Sequence, residues 1–554
     1  MTKKRITELI DINKDLIKSN ESVIAIYGGT SAGKTTLIEG CHNNDIDFKG
    51  LVDMCRVDIC TSRKPKVNES LKKNDEFLSH MNELGAAITC KGFSFNVIHT
   101  NAHIHKYLQE HYRKDNELTY FWRKFDFIVI DEFHSLCADS SFANCTYTVM
   151  RLVDKIIEDK ALNNIKTKVI LLSATPESVE WLAERWKAKV YDFRGCTPYI
   201  KPKSIEVTNY LLAERNITQK VKDGQTVVYY CSHLNKLFPL IKEALANGIA
   251  EKHIAVDIAD ASTLEKLEDK YPNIFQNSKQ LEETLSSQEI IDSQFKLILT
   301  NSKCKEAINI NSKVDLLVIE SHYITDIIQI CGRFRSGIDK AYIIENAHQF
   351  QCFDDFYDEK GYYSNRIEFD NKELERRTFD APQGAIYYPI HHNRDTLQYI
   401  NKIICQSHYE TYNLFTEKFE VDELYVHFKE HYTTSVKVLE TLLSNRQQFS
   451  TAYPYFEGIT ISYSSGIIEE GYIETIFEER GWTIGETKLS YDEFVEFCNL
   501  LKEKYISLSS SKKKYKNNKP ILNFFGLDYK TEGHKGSKEK SKYIISKLPK
   551  KDSE

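Results

Sequence analysis

Residues 28–36 constrain this chain more than any other stretch. Gly28, Gly29, Thr30, Ser31, Ala32, Gly33, Lys34 and Thr35 spell G-x-x-x-x-G-K-T, and Thr36 follows. The apolar run at 22–27 predicts a buried parallel strand before the loop, and 36–40 can open a helix after it. Strand, glycine loop and helix together are the context of a phosphate-binding loop. Glycines let the backbone turn its N–H groups toward one anion, and the helix N-terminus adds partial positive charge. Lys34 can then reach the β- and γ-phosphates, and the Thr35 hydroxyl can bind Mg²⁺. A chance glycine turn is the competing reading; the complete motif with both flanks argues against it. The loop implies a nucleoside triphosphate without saying what its energy drives.

Two α/β series follow one another. Strands are predicted at 23–27, 56–60, 94–99, 127–130 and 168–172, with helical segments such as 148–159 and 176–187 between them. A second series runs 226–231, 253–257, 295–299, 316–320 and 341–345, with helices such as 235–246 and 325–332. Strands separated by helices predict parallel sheets. The boundary falls at 192–203, which holds Gly195, Pro198 and Pro202. Only the first series carries a phosphate loop.

Three further segments carry chemistry. The apolar residues 127–130 end in Asp131, Glu132, Phe133 and His134. An Asp at that edge lies beside the phosphate loop in a parallel sheet and can hold Mg²⁺ through water; the following Glu can polarise an attacking water. Ser173 and Thr175 follow the next strand. Alone such a triplet is usually a helix cap. Gln329, Gly332, Arg333 and Arg335 lie in the second series; arginines aimed at a neighbouring domain's γ-phosphate would stabilise the transferring group. A surface helix with paired arginines is the alternative.

In their order and spacing these motifs resemble the superfamily 2 helicases, over about residues 15–348, and the group whose second motif reads D-E-x-H. The resemblance implies an α/β fold of two tandem RecA-like parallel-sheet domains, with the nucleotide between them and nucleic acid across both. A mostly helical (α or α+β) C-terminal region follows. It implies that Lys34 and Thr35 bind phosphates and Mg²⁺, that Asp131 holds the metal, and that Glu132 activates water. It further implies that Ser173, Thr175 and His134 couple hydrolysis to movement, that Gln329 sits near the γ-phosphate, and that Arg333 and Arg335 are fingers. Thr61, Ser62, Arg63, Thr100, Ser232 and Thr300 fall where the family grips the phosphodiester backbone. The chain departs from many relatives in having Ala307 for a glycine and G-R-F-R for G-R-x-G-R. The shorter form is similar to viral origin-binding-protein and phage helicases, which implies a role in replication, recombination or repair, with DNA favoured and ATP the default nucleotide.

The expected division is 1–195, 203–348, a mostly helical accessory domain at 349–506, and a basic flexible tail at 507–554. Helices are expected at 421–448 and 490–505. Net charge is −6, yet the segment from Lys512 onward holds thirteen lysines against five acids, so it carries +8 and the remainder −14. Such a tail can meet a polyanion. Within it, residues 518–525 loosely resemble a sliding-clamp-binding peptide; an apolar anchor folding back is the competing reading. No secretory signal or membrane-length apolar run is apparent, and the thirteen cysteines form no C-x-x-C pair or Cys/His cluster with zinc spacing. Reduced thiols in a cytoplasmic protein are expected. An unwinding motor, a translocase that does not unwind, an RNA helicase and a P-loop switch acting through the C-terminal region all remain open.

Overall fold

The computed structural model describes residues 3–42, 47–62, 67, 77–78, 96–111, 120–140, 145–208, 210–231, 234–305, 309–344, 365–375, 398–400, 402–403, 410–444, 454–463, 472–506, 522, 527–532 and 542–547. Nine strands belong to the first part: β1 (Val23–Tyr27), β2 (Cys41–His42), β3 (Asp47–Phe48), β4 (Val57–Thr61), β5 (Phe77–Leu78), β6 (Asn96–Thr100), β7 (Phe127–Ile130), β8 (Lys168–Ser173) and β9 (Lys189–Asp192). Seven of them form one parallel sheet in the order β5-β6-β4-β7-β8-β1-β9. β2 and β3 form a separate antiparallel pair.

The second part adds β10 (Pro202–Thr208), β11 (Val227–Tyr230), β12 (Ile254–Asp257), β13 (Leu297–Thr300), β14 (Val314–Ile319) and β15 (Ile338–Ile344). The fold is therefore α/β, with two tandem RecA-like parallel-sheet domains. Strands covered by helices on both faces must be apolar on both, which is why β1, β7 and β11 are buried along their whole length. The predicted strands at 23–27 and 127–130 coincide with β1 and β7.

The C-terminal part is less separate than the expected division at 349–506. It contributes β16 (Glu410–Asn413), β17 (Lys418–Val421), β18 (Thr460–Tyr463), β19 (Lys488–Leu489), β20 (Leu527–Glu532) and β21 (Lys542–Lys547). β18 pairs in parallel with β10, giving the second sheet the order β12-β13-β11-β14-β15-β10-β18. Tyr412, Leu414, Phe419 and Leu424 join the core of the first domain. Leu439, Tyr455, Phe456 and Ile459 join the core of the second. The helix Glu423–Ser444 thus begins in one core and reaches the other. It packs on the helix Ser135–Ala138, on the turn Pro176–Ser178 and on the helix Ile324–Arg333. Trp181 stacks on His427 at 4.0 Å, and the Tyr323 hydroxyl lies 3.1 Å from His431 Nδ1.

The tail also differs from a flexible one. β20 and β21 pair antiparallel, and β21 pairs with β19. Leu522 is fully buried with Phe494, Phe497 and Leu501. A buried apolar side chain at that point matches the anchor reading of 518–525 rather than an exposed clamp peptide; the rest of that stretch lies outside the described residues. Among the described residues no helix is long and apolar enough to cross a membrane.

Candidate nucleotide-hydrolysis site

The phosphate loop leaves the C-terminal edge of β1 and enters the helix Lys34–Glu39, on which Thr35 and Thr36 follow Lys34. Gly33 has φ +86°, a left-handed conformation that a side chain rarely adopts. Gly29 is held by close approach: a Cβ there would lie 1.9 Å from the Pro198 carbonyl oxygen. Its N–H donates to Thr197 Oγ1 at 2.9 Å. The segment joining the two domains therefore lies against the loop. Beneath it, Ile6 N–H donates to the Ala32 carbonyl at 2.7 Å. Thr197 and Ile6 gave no sequence signal, because each acts through packing rather than through a motif.

Lys34 donates from Nζ to the carbonyls of Gly28 and Gly29, both at 2.9 Å. Burial lowers its pKa to about 8, opposed by the carboxylates of Glu132 and Asp131 and reinforced by Arg335 and Arg333. An anion seated at the loop would replace those carbonyls and restore the full charge of the ammonium.

Asp131 and Glu132 follow β7. Asp131 is buried and receives the Glu132 N–H on Oδ1 at 3.1 Å. Glu132 has φ +53°, an uncommon conformation for a side-chain-bearing residue and a local strain of the kind that clusters at active sites. One of its oxygens lies 3.5 Å from Arg333 Nη2 and the other 3.5 Å from His134 Nδ1. His134 Nδ1 lies 3.3 Å from Ser173 Oγ, which accepts the Thr175 N–H at 3.1 Å.

The second domain completes the cluster with the helix Ile324–Arg333. Gln329 donates from Nε2 to Thr175 Oγ1 at 2.9 Å. Gly332 faces Thr30: a Cβ on it would meet Thr30 Cβ at 2.6 Å. Arg335 donates to the Thr30 carbonyl at 2.8 Å and to Asn309 Oδ1 at 2.8 Å. The two arginines thus divide, Arg333 beside Glu132 and Arg335 on the phosphate loop and the Asn309 turn. The donor set of Thr35 hydroxyl and Asp131 carboxylate is all oxygen, as Mg²⁺ requires.

The expected phosphodiester contacts fare differently. Thr61 and Thr100 end β4 and β6, side by side. Both are buried; Thr100 Oγ1 accepts the His103 N–H at 3.3 Å and so caps a helix. Thr300 is buried and donates to the Asp257 carbonyl at 2.9 Å. The Thr100 and Thr300 hydroxyls serve the fold in this conformation. Ser62 is half-buried. Arg63, Ser232 and Ala307 lie outside the described residues.

No protein-family model and no curated protein matches the chain. Among solved structures, Dbp5 of S. cerevisiae bound to RNA and ADP BeF3 is similar at 14% identity, with 62% of this chain and 84% of that chain covered and a TM-score of 0.39. Helicase Lhr of Mycobacterium smegmatis bound to ssDNA and AMP-PNP is similar at 15%, with 59% of this chain and 44% of that chain covered and a TM-score of 0.39. The DUF1998 helicase MrfA bound to DNA is similar at 15%, covering 73% and 55%, with a TM-score of 0.38. Likeness at this level assigns no activity.

Proposed function

We propose that this chain is a nucleic-acid-dependent NTPase of superfamily 2 type, using ATP and moving along or unwinding strands, with DNA favoured over RNA. The observation that carries the reading is the set of contacts across the cleft: Gln329 to Thr175, Arg333 to Glu132 and Arg335 to Thr30. In this reading Lys34 and the loop amides bind the phosphates, and Thr35 and Asp131 hold Mg²⁺, which would neutralise phosphate charge. Glu132 takes a proton from the attacking water, with His134 holding its carboxylate in place. Arg333 and Arg335 stabilise the charge of the transferring phosphoryl group, and both come from the other domain, so turnover requires closure. Hydrolysis removes the charge that they attract and lets the domains part, which converts chemistry into movement.

The test is steady-state ATP turnover at fixed salt, alone and with single-stranded DNA, duplex DNA or RNA. The reading requires stimulation by at least one of them; a strand-displacement assay beside it separates unwinding from translocation. A P-loop switch is the second reading, favoured by the helix Glu423–Ser444, which touches the cleft elements of both domains. Turnover indifferent to every nucleic acid would favour it.

A further inference from the structure

Asp58 and Cys60 lie two residues apart on β4, so the pleat carries both side chains to one face. β6 runs alongside with His99 opposite Cys60. The three residues are 0%, 0% and 1% exposed. One oxygen, one sulfur and one nitrogen, a donor from each, lie within 4.8 Å of one another. His99 Nε2 is 2.7 Å from Asp58 Oδ1 and 3.8 Å from Cys60 Sγ. Its other nitrogen, Nδ1, lies 3.2 Å from the Thr100 carbonyl, which can only accept, so Nδ1 carries the hydrogen. The nucleotide site uses none of the three.

A carboxylate sealed from water is costly unless directed donors or a cation satisfy it. Among the described residues neither oxygen of Asp58 meets a well-aligned donor, and the His99 ring nitrogen stands 2.7 Å from one of them.

We propose that Asp58, Cys60 and His99 form a binding site for a zinc-type divalent transition ion. Oxygen, thiolate and imidazole are zinc's own donors, whereas Mg²⁺ and Ca²⁺ take oxygen alone. Asp58 binding through both oxygens brings the donors to four. With Nδ1 on the Thr100 carbonyl, His99 turns Nε2 toward Asp58 Oδ1 and Cys60 Sγ, the orientation of a ligating histidine, and a bound ion takes the place of any proton on Nε2. The charges balance in the bound site: the ion's two positive charges meet the Cys60 thiolate and the Asp58 carboxylate, and the thiol proton, with any on His99 Nε2, leaves to solvent. The bound cluster is neutral, with every donor satisfied. The ion ties β4 to β6 just before Thr61 and Thr100 and stiffens the edge from which both loops leave.

The test uses the full chain, free of nucleotide. Elemental analysis after passage over a chelating resin is expected to find stoichiometric zinc. Protein expressed with Co²⁺ in place of zinc is expected to show a thiolate-to-cobalt charge-transfer band, lost in Cys60→Ser. A metal-free protein without that band, or a band that survives Cys60→Ser, overturns the site and leaves a buried ion pair only. If Cys60→Ser does not fold, the zinc content and cobalt spectrum of the unmodified chain decide.

Discussion

Gln329 of the second domain donates its side-chain amide to the Thr175 hydroxyl of the first at 2.9 Å, with both residues buried. From Thr175 polar contacts continue through Ser173 and His134 to Glu132, so the residue proposed to activate water is linked to the opposite domain. Gln329→Leu leaves Thr175 Oγ1 without its donor. Losing such a bond costs about 1–2 kcal/mol, so turnover should fall roughly tenfold while nucleotide affinity stays within a few-fold. Steady-state kinetics beside equilibrium nucleotide binding checks both. Unchanged turnover would remove Gln329 from the account.

Gly332 is a second probe of closure. It lies inside a helix, where alanine is favoured over glycine by about 1 kcal/mol, so Gly332→Ala should hold or raise thermal stability. Yet the new Cβ would meet Thr30 Cβ at 2.6 Å and Cγ2 at 2.7 Å, and only when the domains are closed. Thermal melts and turnover on one sample should show preserved stability with impaired hydrolysis. Wild-type turnover would mean that the Gly332–Thr30 approach is dispensable.

Much of this site is legible in the sequence because it is local. A glycine loop between an apolar strand and a helix, and two acids at the end of β7, declare their chemistry within a few residues. The partition between Arg333 and Arg335 is not legible, because it depends on where the helix Ile324–Arg333 meets the other domain. Nor are Thr197 and Ile6, which reach the loop only through chain reversal, or Cys60 and His99, whose pairing spans 39 positions. The C-terminal part was the least legible. β18 is a short strand whose partner, β10, lies far back in the chain, and composition assigned the tail to solvent although β20 and β21 pair there.

Asp422 precedes the helix Glu423–Ser444 and accepts the Tyr425 N–H at 3.1 Å. Burial pushes its carboxyl up to about 7; the Tyr425 and Leu424 amides pull it down and Glu423 adds a little upward. The Cys137 thiol also faces it. Below about pH 4 the group is protonated in folded and unfolded chains alike. As pH rises toward about 7 the unfolded chain releases the proton first, so it binds fewer protons and folding loses stability, by up to about 1.4 kcal/mol per pH unit. Asp422→Asn keeps the acceptor and removes the charge. Denaturant melts should show its advantage over wild type growing from pH 4 to 7 and then levelling, by the same estimate. An advantage independent of pH would contradict the assignment.

Leu439 is fully buried in the core of the second domain, on the helix whose start belongs to the core of the first. Leu439→Ala should cost about 2–5 kcal/mol by leaving a cavity. Because that helix ties the cores together, probes of the two domains should report coincident unfolding. Two separated transitions in the wild type would contradict the tie.

The central claim is that the second domain completes the hydrolysis site. Arg333→Ala, with ATP turnover and ATP binding measured on the same protein in the presence of stimulating nucleic acid, tests it most directly. An arginine acting on the transition state is worth about 10³-fold or more, so turnover should fall by that order while binding persists. Turnover at the wild-type rate would contradict the account.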